Sequence, residues 1–213
     1  MTGATNVGGF IGEHTQGTIT NSYWDTQTSG QQNGVGNKVV TGLTGLTTAE
    51  ARQASSYVGW DFTKDWYQSG DMRPIGRWEA AKAGSDGIAA ITNLHQLQLI
   101  DANPTGSYRL DADIDAQATS GADAAGIWGT GGFAPLAGAG FTGSFDGRGH
   151  LIRGLTINRP ASDDVGLFGK IGTGGMVSNV GLDATGAVTG GNRVGAIAGT
   201  NGGTILQSFS MTQ

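Results

Sequence analysis

The 213-residue sequence predicts an all-β solenoid with short helical connector segments, and three observations carry that expectation. Forty glycines and only 14% charged residues describe a chain that turns often and has few long amphipathic helices, while 37% hydrophobic residues set it apart from a flexible linker. Three apolar segments align: Asn6-Val7-Gly8-Gly9-Phe10-Ile11-Gly12, Asp164-Val165-Gly166-Leu167-Phe168-Gly169 and Arg193-Val194-Gly195-Ala196-Ile197-Ala198-Gly199. A second segment follows each at a matching distance, at 17–23 (GTITNSY), 175–181 (GMVSNVG) and 203–209 (GTILQSF).

The repeat is 29 residues long measured from Val165 to Val194 and 28 measured from Val177 to Ile205, a length at which one repeat makes one coil of a stacked-repeat protein. No single unit can bury its own apolar face, whereas stacked coils lay Val177 against Ile205 at the strand spacing of about 4.8 Å and pair the backbone between coils. Glycines at the strand ends allow corners where φ is positive or backbones approach closely. Two residues beyond Ile19, Val177 and Ile205 stands an amide each time: Asn21, Asn179 and Gln207. That column is either an amide ladder bonded from coil to coil or a series of polar turn residues.

In chain order, residues 1–40 read as the end of a first array. Residues 41–87 read as a connector. Thr47 and Glu50 stand at capping-box spacing and predict a helix over about Thr48 to Ser55, followed by an aromatic group of Tyr57, Trp60, Phe62, Trp66, Tyr67 and Trp78. Residues 88–213 read as the start of a second array. It opens on a short helix capped by Thr92 and carrying Leu94, Leu97 and Ile100 on one face. From Ser107 to Asp115 apolar Tyr108, Leu110, Ala112 and Ile114 alternate with Arg109, Asp111, Asp113 and Asp115, the pattern of one strand with one buried face. Phe141 to His150 reads as strand, tight Asp146-Gly147 turn, strand.

Composition excludes several functions. A formal charge of −5, with twelve scattered Lys and Arg, gives no basic patch for nucleic acid or an anionic membrane surface. The absence of cysteine removes disulfides, cysteine-based zinc sites and thiol catalysis. The amino terminus has neither the basic nor the apolar region of a signal peptide, and no apolar run is long enough to span a membrane.

The candidate chemistry is sparse. Asp111, Asp113 and Asp115 form a carboxylate row that could gather Ca²⁺. An EF-hand is ruled out, because its sixth and twelfth positions would be Ala116 and Ala122, and with Arg109 alongside we read a solvated strand face. Asp25 and Asp146 could form a carboxylate pair for polysaccharide cleavage, but Asp146 precedes a turn glycine and Asp25 closes a coil. His14, His95 and His150 share no metal-ligand spacing, and no nucleophile or phosphate-loop motif is present. Trp24, Trp60 and Trp128 could stack on sugar rings and are read as packing residues. We therefore assign no catalytic, cofactor-binding or metal residues and expect no cofactor.

Several stretches together resemble the GLUG-repeat class of bacterial surface proteins, found in filamentous-haemagglutinin-type adhesins of two-partner secretion systems and in some IgA-specific metallopeptidases. They are Val7 to Asp25 (VGGFIGEHTQGTITNSYWD), Gly42 to Trp78 with GLTTAEARQ, GWDF and RPIGRW, Tyr108 to Ala116 (YRLDADIDA), and Phe141 to Gly169 with FTGSFDGRGHLIRGLTINRP and VGLFG. The resemblance implies a right-handed parallel β-helix that is secreted or displayed at the cell surface. The implied role is a non-enzymatic adhesin segment, a rigid spacer able to contact host or matrix glycans or proteins along its flank, with flanking coils of a longer chain as further partners. Alternatives are a fragment of a glycan-cleaving β-helix enzyme and a non-catalytic repeat region of a secreted IgA-type metallopeptidase. The segment Gly195-Ala196-Ile197-Ala198-Gly199 is smaller than the class pattern.

Coil ends at Val7 and Gln213 would leave unpaired strand edges. The isolated chain is therefore expected to associate at high concentration. Sedimentation checks this, and a monomer that melts cooperatively would count against open coil ends.

Overall fold

The computed structural model describes residues 1–183 and 185–212, and the described chain is all-β with a few short helical turns. It divides into two compact units, Met1–Gln68 and Ser69–Gln213, so the expected connector contributes residues 41–68 to the first and 69–87 to the second.

In the first unit β1 (Ser22–Asp25) runs into a single helical turn, α1 (Thr26–Ser29), and pairs in parallel with β2 (Leu43–Leu46), with Ser22 opposite Leu43 and Asp25 opposite Leu46. A parallel bridge between Ile11 and Val35 repeats the arrangement upstream. The aromatic residues close this unit: Leu46, Ala51 and Tyr57 are buried with Tyr23, Trp60 and Phe62 packed on them. Trp60 stacks between Tyr57, at 4.6 Å, and Trp66, at 3.7 Å. Trp66 opens the two-residue strand β3 (Trp66–Tyr67). The predicted helix at Thr48 to Ser55 is instead two 3-10 turns, Glu50–Arg52 and Ala54–Ser56, broken at Gln53 in an extended conformation. The capping box itself forms: Glu50 Oε2 accepts from Thr47 N at 2.8 Å, and Thr47 Oγ1 accepts from Glu50 N at 3.2 Å. Tyr57, whose hydroxyl donates to Ala51 O, pins the segment before a full helix can propagate.

The second unit contains β4 (Ile75–Gly76), β5 (Ala89–Ile91), α2 (Leu94–Gln98), β6 (Ser107–Leu110), β7 (Ile114–Asp115), β8 (Ser144–Asp146) and β9 (Leu151–Arg153). It continues through β10 (Thr156–Arg159), β11 (Phe168–Ile171), β12 (Met176–Ser178), β13 (Gly181–Leu182), β14 (Ala187–Gly190), β15 (Ala198–Asn201), β16 (Thr204–Leu206) and β17 (Phe209–Ser210). Two sheets dominate, in the orders β16-β12-β8-β6-β5 and β17-β13-β9-β7, with β10–β14 and β11–β15 as flanking pairs, and their neighbours all run parallel. Register places Ala89, Tyr108, Phe145, Val177 and Ile205 in one column across five strands. Ala89, Tyr108, Phe145 and Val177 are buried, and the expected pairing of Val177 with Ile205 is present. Burial pushes the Tyr108 phenol up to about 12, while its hydroxyl donates to Asn103 O. A second inward column joins Ile114, Ile152 and Leu182.

Three local expectations are corrected. The stretch Ser107 to Asp115 is two strands, not one: it bends at Asp111-Ala112-Asp113 so that β6 joins the five-stranded sheet and β7 the four-stranded one. Asp146-Gly147 makes no hairpin, since β8 and β9 also lie in different sheets and each finds parallel partners in neighbouring turns of the chain. Alternation and an Asp-Gly pair look the same whether the chain folds back or turns a corner, and the long-range columns decide. The helix cap is Asn93, which accepts from Gln96 N, while Thr92 bonds the Gln96 side chain; Leu97 and Ile100 are buried as expected.

The repeats turn corners at positive φ both on glycines, as expected, among them Gly17, Gly154 and Gly174, and on residues other than glycine. Asn6, Asp164 and Arg193, each just before a Val-Gly pair, have φ of 53, 56 and 56°, and Asn21, Asn179 and Gln207 have φ of 44, 52 and 46°. The amide positions are thus left-handed turn residues, a conformation that asparagine tolerates well. No hydrogen bond joins Asn179 to Gln207 among the described residues; the Asn179 amide donates instead to Asp146 Oδ1 at 2.9 Å. The glycine after each valine serves close approach: a Cβ on Gly166 would lie 2.3 Å from Gly195 O. The expected coil end at Gln213 lies outside the described residues.

Val177→Asp should cost more than ~3 kcal/mol, because it places an unpaired carboxylate inside the column. Met176→Asp, one residue along and facing out, should cost less than ~1 kcal/mol. Denaturant unfolding of the full chain separates the two, and equal losses would remove Val177 from the column.

Candidate functional site

Apolar side chains fill the inside of the parallel sheets in the second unit, so its chemistry collects on the outside, at the bends between strands. At the bend after β6, Asp111 Oδ1 accepts from Arg109 Nε at 3.1 Å and from Arg148 Nη1, in the next turn of the chain, at 2.6 Å. Arg109 also pairs with Asp86. Two residues on, Asp113 accepts from Leu151 N at 3.0 Å and Arg153 Nη2 at 2.9 Å, and contacts His150 Nδ1 at 3.2 Å. Further along, Asp164 accepts from Arg193 Nε at 2.6 Å and Thr200 Oγ1 at 2.6 Å, with Lys170 Nζ at 3.2 Å. The pairs Asp111–Arg148, Asp113–Arg153 and Asp164–Arg193 each link successive turns of the chain.

These partners hold the carboxylates ionised. The Arg193 guanidinium, then the Thr200 hydroxyl, keep Asp164 well below the usual carboxylate range. The Leu151 amide and Arg153 lower Asp113, and Asn192 lowers Asp163. Desolvation raises Asp111, but hydrogen bonds from Arg109 and Arg148 outweigh it and the net shift is downward.

The structure does not bring the residues of the carboxylate row together. Asp111 and Asp113 are each engaged by arginines on opposite sides of the bend, and Asp115 Oδ1 accepts from Gln117 N at 3.0 Å. Among the described residues no group of three or more His, Cys, Asp or Glu could hold a metal ion. Asp25 and Asp146 lie in different units. Asp25 caps α1, accepting from Gln27 N and Thr28 N, and takes a third bond from Thr48 Oγ1. Asp146 accepts from Arg148 N and Asn179 Nδ2. His14 bonds Asn37 through its backbone, His95 contacts Glu79 at 2.6 Å, and His150 faces Asp113. The tryptophans pack: Trp128 is buried and donates to Gln98 Oε1, Trp60 donates to Asn21 O, and Trp24 donates to Gln31 O among Gly9, Gly34 and Gly45.

The left-handed residues Arg148, Asn179 and Gln207, one per turn, line a groove of about 470 Å³ together with Gly149, Val180, Gly181 and Phe209. Sequence reasoning found the amide column but not the groove. The missing signal was Phe209, half-exposed in register with Gly181.

The chain is similar to Halomucin from Haloquadratum walsbyi, 48% identical over 124 residues, a match that covers 54% of this chain and 1% of that protein. The chain thus spans about a hundredth of the length of this curated relative. No family model matches the chain, and no solved structure matches it. Among the described residues no helix is long and apolar enough to cross a membrane.

Because Asp111, Asp113, Asp163, Asp164 and Asp183 are all lowered from 3.8 in the folded chain, their contribution to stability is complete above the unfolded carboxylate pKa and is lost as pH falls through the folded values. Thermal midpoints should be flat from neutrality down to about pH 5 and fall steeply below about pH 4. Asp164→Asn should flatten that fall, and an acid limb unchanged in this variant would remove Asp164 from the linkage.

Proposed function

We propose that the chain is a structural and binding segment of a large extracellular surface protein, of the GLUG-repeat adhesin type, in which the second unit is a right-handed parallel β-helix acting as a rigid, non-catalytic spacer. The observation that supports this reading is the column Ala89, Tyr108, Phe145, Val177 and Ile205, five parallel strands in sequence order, as a chain coiling repeatedly in one direction would build. Right-handedness follows from the strong preference of parallel connections within a sheet. The similarity to a short part of the far longer Halomucin supports a segment of a very large chain in an extracellular surface setting.

The non-catalytic reading rests on the engagement of the carboxylates. General acid and base catalysis needs two groups within reach of one bond and tuned apart in pKa. Asp25 caps a helical turn, Asp111 bridges Arg109 and Arg148, and Asp146 holds a bend through Arg148 N and Asn179 Nδ2, so each carboxylate is taken up by structural donors.

Antibodies against the chain should label intact cells of the source organism, and labelling only after lysis would overturn the surface assignment. Incubated with a panel of polysaccharides, the purified chain should release no reducing ends. Product formation that disappears in an Asp146→Asn variant would replace the spacer with a glycan-cleaving enzyme.

A further inference from the structure

We infer that a second groove, in the first unit, is a binding subsite for an anionic saccharide, an inference that deepens the surface-segment reading and rests on it. Two links pin successive turns of the chain together at its ends. At one end His14 N donates to Asn37 Oδ1 at 3.0 Å and Asn37 Nδ2 donates to His14 O at 3.4 Å. At the other Ser22 N donates to Gly42 O at 3.1 Å, and Gly42 packs so closely that a Cβ there would lie 2.0 Å from Ile19 O. Between these links the chain spends seven residues, 15–21, on one turn and four, 38–41, on the next. Segments of unequal length between shared ends cannot run side by side, so the longer bows away, through Gly17 at φ 100°. No hydrogen bond joins the two segments among the described residues, and a groove of about 500 Å³ opens there. Its walls belong to successive turns, so it lies between turns of the stack and not at an end of it.

The lining is polar and carries no carboxylate. His14 and Thr18 line the groove from one turn and Lys38 and Thr41 from the next, all but His14 exposed. Glu13, next to His14 in the chain, is exposed outside the lining. Lys38 makes no ion pair among the described residues, whereas Arg109, Arg148, Arg153 and Arg193 of the second unit are each bound to an aspartate. In a chain of net charge −5, an ammonium without an acidic neighbour gives an anion a local attraction that the rest of the surface does not offer.

The neutral groups select the class of anion. The threonine hydroxyls give and accept hydrogen bonds, and the backbone of residues 38–41 makes no backbone hydrogen bond among the described residues, so donors and acceptors alternate along the wall. An acidic peptide would bring the same charge, but a peptide added as a strand needs an extended edge to pair with. The walls bend at residues 16–17, 36–38 and 41–42, which leaves only Val39 and Val40 between bends on the shorter side. A sugar ring presents its hydroxyls in several directions and suits a bent wall of this kind.

The test is calorimetric titration of the full chain, at low and high salt, with a hexagalacturonate, a carrageenan hexasaccharide, neutral cellohexaose and a hexaglutamate peptide. At least one of the two anionic saccharides should bind, more tightly than cellohexaose or the peptide and more weakly as salt rises, and the preferred one distinguishes a carboxylate from a sulfate ligand. Lys38→Gln, which removes the charge and no internal bond, should weaken binding about tenfold with an unchanged melting temperature, and Lys38→Arg should keep most of it. Thr41→Val should weaken binding about threefold. Lys82→Gln, which alters an exposed lysine of the second unit, should leave it unchanged. Failure of both anionic saccharides at millimolar concentration, equal binding of cellohexaose, tighter binding of the peptide, or binding indifferent to Lys38→Gln would overturn the subsite. A chain that fails here yet labels intact cells would lose this groove and keep the surface-segment reading.

Discussion

The parallel register of one inward residue per turn is the constraint on which the second unit depends. Phe145 must face inward opposite Tyr108 and Val177, and because side chains alternate, a slip by one residue would turn the whole column to solvent. Chain length between column members is free by comparison. Tyr108 and Phe145 are separated by a long excursion containing the 3-10 turn Gln117–Ser120 and buried Trp128, whereas Val177 and Ile205 are joined by little more than strands and corners. The excursion is held by a buried amide: Gln98 donates to Ala134 O at 3.0 Å and accepts from Ala134 N and Trp128 Nε1, so its polar atoms are satisfied where the apolar stack is interrupted.

The corners follow from the same constraint. Several of the corners between sheets use a left-handed step, taken by asparagine, aspartate, glutamine and arginine as well as by glycine, whereas the bend at Asp111 to Asp113 is made without one. Using side-chain-bearing residues for this step places a polar group at each bend. Asp164 shows the economy of the arrangement: it makes the turn at φ 56° and also receives Arg193 and Thr200.

The all-β class and the repeat positions were legible because they rest on short patterns that recur: Val-Gly opening the segment, then a β-branched residue two before an amide. The helix cap was misplaced by one residue because Thr92 and Asn93 both offer cap chemistry, and the Gln96 side chain satisfies the one while its backbone satisfies the other. The corners at Asp111 to Asp113 and at Asp146 to His150 were not legible, because local alternation and an Asp-Gly pair carry no information about which sheet a strand joins. The groove was hidden for a related reason. Its members Arg148, Asn179, Gln207 and Phe209 are dispersed along the chain, and only the register of β9, β13 and β17 brings them side by side.

The ion pairs between turns are better understood as register devices than as a source of stability. Asp111 and Asp113 are paired at solvent-exposed bends, where screening leaves such pairs a small part in stability, and Asp164 is more enclosed. Their positions are nonetheless specific: Arg148 reaches Asp111 and Arg153 reaches Asp113 only if β8 and β9 sit opposite β6 and β7 in the observed register. A shifted turn would pull Arg148 from Asp111 and Arg153 from Asp113. Lost pairs then penalise the slip at the bends while the apolar column penalises it within the strands. Two penalties on the loss of register, one at the bends and one in the strands, leave the outward positions between bends free of the constraint that fixes the fold.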